Sequence, residues 1–212
     1  MINQTRPITI GGSMKKLICL VTCLFSFSLT YANNLPVDSK APDFKLVDVQ
    51  GREVQLDKLK GKWVVLEWFN KGCPFVKKHY DSNNMQSLQK KYIDKGVKWI
   101  TIISSAEGKQ GHESDRETIE TAKTLKASPT HILRDTDGKI GQTYIAKTTP
   151  HMFIISPEQK IVYQGAIDDN SSSDPADIPT SKNYLSLALD EALQGKPVTV
   201  KKSKPYGCSV KY

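Results

Sequence analysis

The stretch Trp63-Val64-Val65-Leu66-Glu67-Trp68-Phe69-Asn70-Lys71-Gly72-Cys73-Pro74-Phe75-Val76 decides the fold. Its first half is an apolar run that reads as a buried strand, and its second half sets Cys-Pro at the start of a helix. A sulfur in that place meets unpaired backbone N–H groups and the positive end of the helix macrodipole. Both favour the thiolate, which is the nucleophilic form of cysteine. Lys71, Lys77 and Lys78 add positive charge close by in sequence. The expectation is an acidic sulfur at Cys73, open to an incoming partner or oxidant.

Working outward, Phe44 to Val49 alternates and ends at Gly51, which predicts an early strand and turn. A helix from Pro74 should break near residues 81–84 and resume with Met85, Leu88 and Tyr92 on one face. Residues 97–103 read as a second central strand. Ser114 and Glu117 form a capping box that opens a helix running to about Leu125. Residues 131–134 read as a short strand before the Asp137-Gly138 turn, and a short helix follows at 140–144. Residues 152–155 and 160–163 flank a turn, as in a hairpin. Residues 168–179 read as a solvated polar loop, and 184–193 as the last helix. Strands alternating with helices give an α/β fold, a central mixed sheet with helices on both faces.

The chain has 212 residues, enough for one domain with a core of its own. Met14 is the expected start. Met14-Lys15-Lys16, then an apolar run from Leu17, then Thr30-Tyr31-Ala32, read as a signal peptide over residues 1–32. The domain would span 33–196, and a Lys-rich tail carrying Cys208 would span 197–212. Cleavage removes Arg6, Lys15 and Lys16, taking the formal charge from +8 to +5. That is a mildly basic protein with no arginine-rich stripe, so nucleic acid is not an expected partner. Cleavage also removes Cys19 and Cys23 and leaves Cys73 and Cys208, which an oxidising compartment would allow to pair. The expected location is the bacterial periplasm, with no stable membrane association once the signal is removed.

Strand, Cys-Pro helix start and a distant Thr149-Pro150 before a hairpin together resemble the thioredoxin-like superfamily, over roughly residues 37–195. Ala41-Pro42-Asp43-Phe44, Asp135 with Gly138 and Gly141, and Thr149-Pro150-His151-Met152-Phe153 resemble its redoxin branch, the alkyl hydroperoxide reductase/thiol-specific antioxidant type. Gly72-Cys73-Pro74-Phe75-Val76 is similar to secreted peroxiredoxin-like proteins. The resemblance implies a thioredoxin-like fold and Cys73 as the attacking sulfur. It also implies Pro150 as the cis-proline that faces this sulfur and aligns the Thr149 backbone with a substrate. Thr149, Pro150 and Pro74 are the expected substrate-binding residues. Glu67 matches the buried acid that moves a proton in thioredoxins; the other reading is a strand-end acid that is paired or solvated.

The chain departs from the thioredoxin pattern at Val76, where a second cysteine would stand, and has Asn70 where peroxiredoxins place a hydroxyl. The missing second thiol would be Cys208. A reversible Cys73–Cys208 bridge, a static staple and an unpaired Cys208 all remain open. The function expected is thiol-disulfide exchange with protein thiols and disulfides, fed by an electron-donor redox protein and needing no cofactor, since the cysteines carry the electrons. Reduction of hydroperoxides and a non-catalytic binding domain are the alternatives. His79 and His112 raise the question of a metal, but His79 stands six residues from Cys73, not the spacing of a helical ligand pair, and no Cys/His cluster accompanies it, so no metal site is expected.

Overall fold

The computed structural model describes residues 35–212, with residues 1–3 at the chain start; the signal-peptide reading, with Cys19 and Cys23, lies outside the described residues. A small antiparallel pair comes first, β1 (Lys45–Val47) with β2 (Glu53–Gln55). The main sheet is built on β3 (Val64–Trp68), which runs parallel to β4 (Lys98–Ile103); β4 in turn runs parallel to β5 (His131–Arg134). Helices α1 (Pro74–Asp81), α2 (Asn84–Ile93) and α3 (Asp115–Thr124) lie between these strands in sequence. After α4 (Lys139–Thr143) comes β6 (Thr148–Thr149). Then β7 (His151–Ile155) joins the other edge of β3 antiparallel, and β8 (Ile161–Gly165) pairs with β7. The five strands stand in the order β5-β4-β3-β7-β8. The helix α5 (Tyr184–Leu193) closes the domain, and β9 (Cys208–Ser209) pairs with β6.

Every residue of β3 is buried, which is why its sequence is an apolar run interrupted only by Glu67. Its side chains alternate between two cores, as the two-residue period of a strand requires. Val65 and Phe69 join Val76, Tyr80, Leu88, Tyr92, Trp99, Leu185 and Leu189 under α1, α2 and α5. Val64, Leu66 and Trp68 join Leu56, Ile100, Ile102, Tyr144, Phe153 and Ile161 on the opposite face, against α4. The mixed α/β sheet covered on both faces is the expected fold.

Local signals hold well. The α1–α2 break falls at Asn83, in the left-handed region at φ 60°, a conformation that asparagine tolerates. Ser114 and Glu117 cap α3 reciprocally. Residues 168–179 depart from the solvated loop: Asp168 is buried, and a 3-10 helix runs from Pro175–Thr180. The Lys-rich tail is bonded to the domain along its length. It runs parallel alongside β8, where Ser203 N donates to Gln164 O and the Ser203 hydroxyl meets Ala166 N and the Tyr163 hydroxyl. It then crosses α1 and ends with Tyr212 donating to Ala146 O.

Candidate active site

Cys73 caps α1 with extended backbone (φ −83°, ψ 123°), and Pro74 is the first helical residue. The loop that delivers it is fixed by Asn70. Its side-chain oxygen accepts from Gly72 N at 2.9 Å, its amide donates to Gln110 O at 2.9 Å, and its carbonyl accepts from Cys73 N at 3.0 Å. The Cys73 thiol points away from solvent and donates to Thr149 O at 2.9 Å. Thr149 precedes Pro150, and the bond between them is cis. Thr149 and Pro150 are buried against the sulfur's side of the site, whereas Pro74 is exposed.

The expected open sulfur is not what the structure holds: Cys73 is 0% exposed. The tail covers it. Cys208 stands opposite Thr149, and Ser209 opposite Thr148, in the β6–β9 pair. Gly207 makes this approach fit. A Cβ there would sit 2.1 Å from Thr149 O, and its φ of +136° lies where only glycine is comfortable. Both cysteines are free thiols.

The electrostatics set an order of ionisation. Burial pushes the Cys73 thiol up, but donors around the sulfur outweigh it and leave it below the ordinary cysteine value. They are the Cys208 thiol and backbone and the Val76 N–H; the Thr149 hydroxyl, buried and without a hydrogen-bond partner, adds the least. Burial and the neighbouring Cys73 charge push Cys208 up to about 11. Cys73 therefore ionises first, and Cys208 keeps its proton and donates it. The expected lysines take no part. Lys71 pairs with Glu113 at 2.6 Å; Lys78 lies buried against Asp168 (3.3 Å) and Asn170 O (2.8 Å); Lys77 is exposed.

Glu67 is 1% exposed and sits on the α1 face of the sheet. It accepts from the Trp99 indole at 2.7 Å, the Tyr80 hydroxyl at 2.8 Å, the Thr101 hydroxyl at 3.1 Å and the Gln89 amide at 3.4 Å. Burial raises its pKa against the pull of these four donors. None of the four is a cysteine, so the structure does not join Glu67 to Cys73 through a hydrogen bond.

A buried polar cluster that no sequence pattern marks lies beside the site. Its members are Lys78 and His79 on α1, Asp168 after β8 and Tyr206 on the tail. The Tyr206 hydroxyl donates to Asp168 and meets His79 Nε2 at 3.2 Å. Asn84 reaches His79 Nδ1 at 2.8 Å. Burial, helped by Lys78, drops His79 to about 4, so its ring is neutral near pH 7. With Nδ1 accepting from Asn84, Nε2 carries the proton. These contacts pin the residue two before Cys208. A Lys-Pro-Tyr tail and an Asp-rich loop carry no periodicity that would have announced them.

Comparisons with known proteins bear on the family and the fold. The chain is 27% identical over 165 residues to thiol-disulfide oxidoreductase ResA of Bacillus subtilis, covering 76% of this chain and 86% of that one. The crystal structure of a conserved protein from Geobacillus kaustophilus superposes with a TM-score of 0.72 at 30% identity, covering 84% of this chain and 92% of that one. The thioredoxin domain of a thiol-disulfide oxidoreductase from Bacteroides vulgatus shares the fold, with a TM-score of 0.51 at 21% identity over 69% of this chain and 97% of that one. The sequence profile of the AhpC/TSA family matches residues 37–164, from the entry to the first strand through to the end of the hairpin, and the chain belongs to that family.

Proposed function

We propose that this protein is a thiol-disulfide oxidoreductase in which Cys73 attacks and Cys208 resolves. The observation that carries the reading is the β6–β9 pair, which lays a second thiol against the first. The family and the names of its relatives support it. The Cys73 thiolate attacks a partner's disulfide, forming a mixed disulfide and releasing one partner sulfur as thiolate. Cys208 then attacks the Cys73 sulfur, and its proton passes to the second partner sulfur as that leaves. A Cys73–Cys208 bridge and a reduced partner result, two electrons having moved. Run backward, the same steps oxidise a dithiol. Repeated turnover in the reducing direction needs a dithiol donor protein.

In this reading the Thr149 backbone, beside Pro150, pairs with the partner strand, and Pro74 borders its approach. Glu67, filled by four donors that bind α1, α2 and β4 to β3, acts as a positioning residue at one remove from the cysteines. Hydroperoxide reduction is the weaker reading, because the Asn70 amide is spent on holding its own loop. The protein would work outside the cytoplasm, in keeping with the leader-like residues 14–32 and a cysteine pair suited to an oxidising compartment.

Equilibration of the purified protein in redox buffers, read by mass spectrometry, tests the proposal. A Cys73–Cys208 bridge with a potential above about −250 mV is expected; one far below about −300 mV marks a structural staple and overturns it.

A further inference from the structure

Cys73 has no exposed surface and the tail strand carrying Cys208 lies against it, so a partner's sulfur that comes along the Thr149 backbone reaches it when that segment leaves. Whatever takes its place inherits the same groove. Three features of the groove are specific. The Thr149 backbone pairs with the residue at the cysteine position. The position before it has no room for a Cβ, which would lie 2.1 Å from Thr149 O. The position two before it holds a phenol, gripped by side chains that are themselves buried: Lys78 at 1%, His79 at 0% and Asp168 at 3% exposure.

A phenylalanine would fill the same space, with its ring against Phe75 (5.8 Å between centroids) and under Lys78 Nζ (5.5 Å). It would leave the His79 Nε2–H without its acceptor and take from Asp168 one of its donors. Unpaired buried polar groups are costly, and a site built to bond a hydroxyl rejects an analogue that lacks it.

We infer that the Lys78–His79–Asp168 pocket is a specificity subsite for a phenol, and that the redox partner presents an extended Tyr-Gly-Cys segment in place of the protein's own Tyr206-Gly207-Cys208. The inference rests on the thiol-exchange reading and deepens it by naming the partner's chemistry. The tail is then both the resolving arm and a built-in competitor for the partner strand.

Synthetic heptapeptides of the sequence Lys-Pro-Tyr-Gly-Cys-Ser-Val, activated at cysteine as mixed disulfides with nitrobenzoate thiol, test it on the full-length reduced protein. Cys73 attacks the peptide sulfur, and the coloured aryl thiolate leaves. The Tyr peptide should react at least about tenfold faster than its Phe counterpart, and the Gly peptide faster than its Ala counterpart by a similar factor. Asp168→Asn should bring the Tyr/Phe ratio toward one. Tyr206→Phe, which weakens the tail's own hold without touching the pocket, should speed both peptides about tenfold and keep their ratio. Tyr and Phe peptides reacting within about twofold of each other would overturn the phenol subsite. Unchanged rates in Tyr206→Phe would overturn displacement of the tail. If no aryl thiolate is released even by the peptide-free aryl disulfide, the thiol-exchange reading itself fails.

Discussion

Thr149 touches both cysteines: its carbonyl accepts the Cys73 thiol at 2.9 Å, and its backbone pairs with Cys208 across the β6–β9 ladder. One residue therefore fixes the attacking sulfur and the strand that carries the second one. The tail is a short strand held at both ends. Ser203 holds it upstream, Tyr206 seats it on the buried cluster, and Tyr212 is bonded to Ala146 beyond. Opening the site means giving up these contacts together.

Gly207 is the point where that closure is most easily broken. In Gly207→Ala the new methyl group would meet Thr149 O, at a backbone angle that alanine seldom adopts. The expected outcome is loosening of the β6–β9 pair, with a loss of about 1–3 kcal/mol in stability. Alkylation of Cys73 by iodoacetamide at fixed pH should rise about tenfold or more, because closure falls by at least that energy. Alkylation at the wild-type rate would mean that the tail does not guard the sulfur.

A neighbouring thiol, and no lysine, lowers the Cys73 pKa. Cys208 supplies hydrogen bonds to the Cys73 sulfur and favours its thiolate. Removing the donor in Cys208→Ala should shift the pH profile of Cys73 alkylation upward, toward an ordinary cysteine. Lys71→Ala should leave the profile in place, since Lys71 is paired with Glu113. A shift in the lysine variant and none in the cysteine variant would restore the sequence-based view of the lysines.

That contrast shows what the sequence could convey. The strand, the Cys-Pro helix start, the break near Asn83 and the capping box at Ser114 are local patterns, written within a few residues. Cys73 as the central residue follows from them. The partners of Lys71 and Lys78 lie 42 and 90 residues away, so nearness in sequence suggested free charges where the fold has pairs. The β6–β9 pair has two residues on each side, too few for any period to show, and its lysine-rich approach reads as a solvated linker. Asp168 stands in an Asp-rich loop, and only the fold brings Tyr206 and His79 to it.

Two buried histidines give stability an acid limb. Burial drops His79 to about 4 and His151 to about 3, from an ordinary value near 6.5. Below that value the unfolded chain binds protons that the folded chain refuses. Stability should therefore fall as pH drops from 6.5 toward 4 for His79, and on toward 3 for His151. Each contributes a slope of up to about 1.4 kcal/mol per pH unit. Urea unfolding at pH 7, 6, 5 and 4 measures the limb, and His79→Gln should make it shallower. An identical slope in the variant would remove His79 from the account.

Glu67 works with the opposite sign. Burial raises its pKa, so the folded protein holds this proton at pH values where the unfolded chain has released it. The resulting stability is present below the ordinary carboxyl value, near 4.5, and is lost as pH rises through the folded value. Glu67→Gln is neutral throughout. Its carbonyl can still accept from Trp99 and Thr101, and the Tyr80 hydroxyl can turn to accept from the new amide. The variant should lose the decline above pH 4.5 and gain relative to wild type at pH 7–8, read by urea unfolding. No Glu67 oxygen is bonded to a cysteine, so the pH profiles of Cys73 alkylation and of Cys73–Cys208 bridge formation should not move. A displaced profile in a variant of wild-type stability would show Glu67 handling the proton of a thiol, which is the role its position in the sequence suggests and the one its four donors argue against.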